Sequence, residues 1–473
     1  MADTFATTLR DLGSAVGSGR LSSTRLVEEA LARIDTHNGA LNAVVALRAD
    51  EALAEARAVD NYVRAGGRLG PLAGVPMLAK DNDDVTGMPT TKGSRLLRDS
   101  APALSDGLTT ARLRTAGAIV VGKTNVPEFA IEGFTANLLQ GVTSNPWNLR
   151  LSPGGSSGGS AAALSAGLVP LATGTDGGGS VRIPAAFCGL VGFKPTNGVI
   201  GRSDIPEWID FSTDGFMATC TDDLRLLLDI VAGPTPGDPS ALVGPLPPAR
   251  LPVRIIAAQR TAALGDLPQG VAGAFARAVD DLADLLGVPV TWKDSGSFFT
   301  GGNPDIDWFT LATAEHAASI GRSTIMERLS EMHLSTQSFL LDGLEVGIDE
   351  YLQARRRRFG FVRELDLLLA DDTVLVTPTV AVEGLTADGR LSKGDPAGLL
   401  PAGVYSTALQ NATGLPAVSL PAGFVPNGLP FGLQVTAPRW ADRALLDIAQ
   451  LWEAAHPWAL TAPGYEPFGL KGT

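Results

Sequence analysis

Between residues 23 and 34, Leu26, Val27, Ala30, Leu31 and Ile34 recur three and four positions apart, which predicts an amphipathic helix. The same period in ADEALAEARAVDNYVRAG (residues 49–66) predicts a second helix, stopped by Gly66 and Gly67. The pattern then changes. Short apolar runs, GVPMLAK and GAIVVGK, flank the turn-rich DNDDVTGMPTTKGS and the helical LTTARLRTAG. This strand–helix–strand alternation predicts an α/β fold. After a Pro-rich stretch at residues 233–252, expected to be a surface connector, VRIIAA, the helical VAGAFARAVDDLADLLG and VPVTW repeat the alternation. TVLVTPT, LPAVSLPAG and PFGLQVTA read as late strands, and ADRALLDIAQLWEAA as a closing helix.

Charge narrows the function classes. The 473-residue chain carries a formal net charge of −13, which repels phosphate backbones and argues against nucleic-acid binding. Its one basic run, Arg355 to Arg358, falls in a predicted helix and is expected to be a solvated face. Two cysteines form no disulfide framework and suit a reducing compartment. No basic segment followed by an apolar one opens the chain, and the apolar stretch at residues 161–173 is too short to span a bilayer. A soluble, cytoplasmic protein is expected.

The chemistry is concentrated in SPGGSSGGSAAALSAGLVPLATGTDGGGSVRIP (residues 152–184), where two serine-bearing glycine knots flank a small-residue, helix-like segment. Glycine loses more conformational freedom on folding than any other residue, so these knots need a use. Three compete. A phosphate cradle finds a formal match in Gly117 to Thr124, but Ala, Ile, Val and Val between the glycines favour a strand, and Pro127 follows too soon for the helix. A nucleophile elbow finds one in Gly155 to Gly159, with Ser157 attacking. It needs a histidine base, yet His316, His333 and His456 stand in no recognisable context downstream and read as ordinary, partly exposed side chains. The low histidine content also argues against a metal hydrolase, and no cofactor is expected. The third use is a serine activated by a lysine that burial keeps neutral, with a second serine relaying the proton and backbone N–H groups holding an oxyanion. Lys80, the serines of the first knot and Ser180 supply those parts.

GVPMLAKDNDDVTG, GKTNVPEFA, SNPWN, the two glycine knots with their flanks, and GLPAVSLPAGF…GLPFGLQV together resemble the amidase signature family. The resemblance is continuous from about Gly74 to Thr196 and resumes near Thr407. It implies a single α/β unit with a large mixed sheet of about eleven strands between helices. In this division residues 1–70 form a helical N-terminal part, 71–232 the signature core, and 253–473 complete the sheet. By resemblance the catalytic residues are Lys80, Ser156, which follows a cis peptide bond, and the nucleophile Ser180. The oxyanion donors are the N–H groups of Gly177, Gly178, Gly179 and Ser180, while Asp176 and Arg182 brace the loop. Asp81, next to the lysine, is expected to face away, leaving the amine to hydroxyls and backbone carbonyls. Gly177 replaces a larger residue of the family and should leave more room beside the acyl group. Ala130 and Ile131 correspond to the acyl-pocket wall, and Trp208 and Phe211 are candidates for its mouth.

The activity implied is hydrolysis of uncharged small-molecule amides, aryl amides or carbamates through an acyl-enzyme. The alternative within the family is the glutamine-hydrolysing transamidase subunit of a tRNA-dependent amidotransferase. Whether the chain forms a homodimer, and whether the loop at residues 200–215 gates the pocket, are left open by the sequence.

Overall fold

The computed structural model describes residues 8–203, 207–262, 266–294, 296, 298–391 and 404–469. The predicted N-terminal helices span Ser23–Leu41 and Ala49–Arg64, each burying its apolar stripe. The strands are β1 (Val44–Leu47), β2 (Pro76–Lys80), β3 (Ile119–Thr124), the hairpin β4 (Ala136–Asn137) and β5 (Gly141–Val142), β6 (Leu171–Asp176), β7 (Val191–Lys194) and β8 (Thr213–Ala218). They continue with β9 (Arg254–Ala257), β10 (Val290–Trp292), β11 (Thr373–Pro378), β12 (Ala417–Phe424) and β13 (Pro430–Thr436). All but β4 and β5 join one 11-stranded sheet in the order β1-β3-β2-β6-β8-β7-β12-β13-β11-β9-β10.

The sheet is mixed. β2 runs parallel to both β3 and β6, β9 runs parallel to β10 and β11, and the antiparallel β8, β7, β12 and β13 lie between these groups. Helices cover the sheet, so β2, β3, β7 and β11 are buried along their whole length and read as continuous apolar runs. The phosphate-loop pattern at residues 117–124 is therefore mostly strand β3, and Lys123 pairs with Asp81 at 3.3 Å. The Pro-rich residues 234–252 hold no helix or strand. Among the described residues no helix is long and apolar enough to cross a membrane.

β2 and β6 end side by side at Lys80 and Asp176, and the carboxyl ends of adjacent parallel strands are where open α/β sheets form clefts. After Asp176 the chain makes a glycine turn and enters the helix Arg182–Cys188. Arg182 is fully buried and meets Asp176 through Nη2 at 2.8 Å and Nε at 3.0 Å. It also donates to Gln434 on β13 at 2.7 Å, and to Asn411 at 2.6 Å and Gln410 at 3.1 Å on the helix Ala408–Thr413. One guanidinium thus ties the cleft to the far half of the sheet. Burial alone would raise the Asp176 pKa, but Arg182, helped by Lys194 and Asn411, outweighs it and holds the carboxyl at about 2.

Removing one partner leaves the other charge buried and unpaired. Arg182→Met is expected to destabilise by about 3–5 kcal/mol, read as a lower urea midpoint. Adding Asp176→Asn should recover part of that loss, because the orphan charge is gone. Purely additive losses in the double variant would contradict this account.

Candidate active site

Lys80 ends a strand of wholly buried residues, and its side chain is 0 % exposed. Its Nζ lies 2.8 Å from Ser156 Oγ and 2.8 Å from Thr175 Oγ1. Thr173 and Thr175 share one face of β6 through the two-residue period of a strand: Thr173 Oγ1 accepts the Lys80 N–H at 2.8 Å, and Thr175 takes the amine. Among the described residues no backbone carbonyl accepts from the amine, so its partners are hydroxyls alone. Asp81 does face away, toward Lys123 and Thr91. Burial lowers the Lys80 pKa to about 7, against the pull of Asp176, Asp214 and Asp83.

The first knot carries Ser156 into the helix Gly158–Ser165, and the Gly155–Ser156 bond is cis. Ser157 turns inward instead: it is fully buried, its Oγ faces the Thr175 carbonyl, and its N–H donates to the Ser180 carbonyl at 3.2 Å. Among the described residues no histidine bonds to it. Ser156 and Ser180 both line one cavity of about 60 Å³.

The second knot is held by its carbonyls. Asn411 donates to the Asp176 oxygen at 2.8 Å, Trp308 Nε1 to that of Gly177 at 2.9 Å, and Thr407 to that of Gly178 at 2.6 Å. The Gly179 oxygen accepts from Ile183 as the helix starts. Since each C=O points opposite to the next N–H across a planar peptide, these anchors aim the N–H groups of residues 177–180. One of the four expected donors is already used, because the Gly179 N–H bonds to Asp176 Oδ1 at 2.8 Å. The expectation for Gly179 is corrected accordingly; of the other three expected donors, Gly177 and Ser180 line the cavity and Gly178 does not.

The glycines also make room for neighbours. A Cβ at Gly177 would sit 2.3 Å from the Trp208 ring, and one at Gly178 2.5 Å from the Trp308 ring. Gly179, at φ +122°, lies where side chains are strained. The sequence suggested extra room for substrate at Gly177, but the place of its missing side chain is filled by Trp208. Ala130 lines the cavity in a left-handed conformation, φ +59°, beside Phe129 at +54°. Ile131 and Phe211 do not reach it. Both pack into a satellite core, with Phe211 fully buried under the Arg358 guanidinium, so Ile131 is not in this cavity's wall and Phe211 is not at its mouth. Residues 204–206 of the candidate gating loop lie outside the described residues.

Two expectations from composition give way here. The arginine run is not simply a solvated face: Arg355 and Arg358 pair with Asp210, and Arg357 with Asp307, which fastens the segment carrying Trp208. Nor do all the histidines stay partly exposed: His333, which caps the helix Leu334–Glu345, and His456, which stacks on Trp452, do, but His316 is buried against the cavity. His316 and Trp308 come from the helix Pro304–Ile320, which the sequence pattern did not single out. Their spacing of two helical turns, with Leu311 and Ala312 between them, was the available signal. Thr175 was also missed; it stands two residues after Thr173 on the same strand face.

With this geometry in place, similarity to known proteins becomes informative. The amidase family model matches residues 25–285 and 313–446. The chain belongs to the amidase family. It is 34% identical to a glutamyl-tRNA(Gln) amidotransferase subunit of Cyanothece sp., across 95% of this chain and 98% of that protein. The structure of a bacterial aryl acylamidase superposes with a TM-score of 0.87 at 26% identity, covering 96% of this chain and 97% of the other. The corresponding glutamyl-tRNA(Gln) amidotransferase subunit of Thermotoga maritima superposes at 0.77 with 27% identity, covering 98% of each chain. This amidase thus has the family's large mixed sheet along nearly its whole length.

The fit of Trp208 against Gly177 predicts coupling between them. Gly177→Ala should destabilise the folded protein, and Trp208→Ala should relieve much of that effect. A double-mutant cycle on thermal or urea unfolding is expected to show a coupling of about 0.5–3 kcal/mol. Additive single effects would mean that the two residues do not constrain each other.

Proposed function

We propose that this amidase hydrolyses C–N bonds of uncharged amides, aryl amides or carbamates through an acyl-enzyme on Ser180. What carries the reading is the Lys80 amine: buried, free of any carboxylate in hydrogen-bond contact, and bonded to the Ser156 hydroxyl at 2.8 Å. A lysine so placed acts as a base near neutral pH, whereas an exposed one, with a pKa of about 10.4, would stay protonated. Lys80 takes the Ser156 proton as Ser156 takes that of Ser180, and Ser180 Oγ attacks the carbonyl carbon. The N–H groups of Gly177, Gly178 and Ser180 hold the negative oxygen. The proton returns through Ser156 to the leaving nitrogen, the C–N bond breaks, and water releases the acyl group by the reverse relay.

The preference for uncharged substrates rests on the cavity wall. Among the described residues its one lysine or arginine is Lys92, which is paired with Glu207. The identity to the Cyanothece protein supports a second reading, glutamine hydrolysis for transamidation. Glutamine's carboxylate would need a free cation, so assaying glutaminase beside anilide and carbamate turnover separates the two.

Ser180→Ala is expected to abolish both turnover and fluorophosphonate labelling. Label found on Ser157 in the wild type would overturn the assignment. Lys80→Arg should lower kcat roughly 10²–10⁴-fold, because guanidinium keeps its proton at accessible pH.

The pH profile follows from the same base. The deprotonated amine is the active form, so kcat/KM should fall below pH 7 and level off above it, set by the Lys80 value of about 7. His316, lowered to about 4 by burial, adds no limb near 6.5. A maximum in acid, below about pH 6, would exclude Lys80 as the base.

A further inference from the structure

One wall of the cavity beside Ser180 has polar atoms that the proposed reaction leaves idle. His316 is 2 % exposed and lines this cavity, yet neither of its ring nitrogens has a hydrogen-bond partner. Trp208 Nε1 and Asn82 Oδ1, on the same lining, are also unpartnered. A buried polar atom without a partner loses its bulk water and gains nothing, so a cluster of them on one cavity wall calls for ordered water or a ligand to complete it.

The neighbours of His316 explain why the protein cannot satisfy it. Its ring is surrounded by Phe129 at 5.7 Å, Trp208 at 6.0 Å and Phe339 at 6.1 Å, all edge-to-face. In this setting burial keeps the imidazole neutral, although Glu207 pulls the other way. A neutral imidazole offers one N–H donor and one nitrogen acceptor. Trp208 adds a donor and Asn82 an acceptor. Lys92 and Glu207, the charged pair on this wall, neutralise each other.

A ligand group that completes this set must both donate and accept, and must be uncharged. A carboxylate would satisfy only donors and would lie beside Glu207; an ammonium would satisfy only acceptors and would lie beside Lys92. At about 60 Å³ the cavity has room for about two waters, so the group it takes is small. Asn82, Trp208 and His316 share this small cavity with Ser180, so a group bound to them lies near any carbonyl attacked by Ser180; Trp208 meets Gly177 through its benzo ring, leaving Nε1 for the ligand.

We propose that His316 and Trp208 form a specificity subsite for a hydroxyl or carboxamide group carried one or two bonds from the scissile carbonyl. The subsite rests on the reading of the cavity as an amide-hydrolysing site, and it adds to that reading the kind of acyl group preferred.

Isosteric anilides test it. Isobutyranilide and lactanilide differ by methyl against hydroxyl at the α-carbon; isovaleranilide and 3-hydroxybutyranilide differ in the same way at the β-carbon. Binding is measured calorimetrically in the Ser180→Ala background, so no turnover is needed. The hydroxyl member of at least one pair should bind about tenfold tighter than its methyl partner. That advantage should vanish in Ser180→Ala/His316→Phe and return in Ser180→Ala/His316→Gln, whose amide again donates and accepts. Alaninanilide, with its ammonium, should bind more weakly than lactanilide. The subsite is refuted if hydroxyl and methyl members bind alike, if the advantage survives His316→Phe, or if no anilide binds. Turnover of isobutyranilide by the wild-type enzyme reports separately on amide hydrolysis, so the subsite can fail while that reading stands.

Discussion

Asp176 and Arg182 meet where neither has any contact with water, and a buried ion pair is stable only when its remaining hydrogen-bonding positions are filled. Here they are filled from both ends of the chain. Gln434, Gln410 and Asn411 take up the guanidinium, and the Gly179 and Val181 N–H groups go to the carboxylate. The glycine turn between β6 and the helix Arg182–Cys188 cannot move without breaking part of this set. Orientation of the turn's N–H groups, and hence the position of Ser180, depends on it.

The same cleft contains a second buried cationic side chain with the opposite solution. The Arg182 guanidinium is balanced by a carboxylate in direct contact, whereas Lys80 is touched only by hydroxyls and is pushed toward neutrality by burial. The separation of these outcomes is local. Asp81, adjacent to Lys80 in sequence, points to the other side of the strand and spends its charge on Lys123. Strand alternation therefore keeps the nearest acid away from the amine.

Around these two centres the wall is aromatic, and it comes from distant segments. Trp208 and Trp308 contact each other edge-on at 5.5 Å and occupy the space that side chains at Gly177 and Gly178 would need. The helix Ile348–Leu368 secures the Trp208 segment through Arg355 and Arg358 on Asp210. Cavity shape is thus set by ion pairs on its outer side as much as by its own lining.

Much of the architecture was legible in sequence, because β2, β3 and β9 to β13 are apolar runs bounded by turn residues, and the long helices carry clear periodicity. β6 and β8 were not, since LATGTD and TDGFMA carry glycine and polar residues whose strand state depends on pairing with each other. The glycine knots, Lys80, Ser156 and Ser180 could be singled out from local pattern and family resemblance, because their chemistry is tied to short motifs. What surrounds them could not. Whether Gly177 opens a pocket or admits Trp208, whether the Gly179 N–H is free, and whether His316 is exposed or buried without a partner were decided only by the folded chain. A linear pattern records which face of an element is apolar; only tertiary packing decides what that face meets.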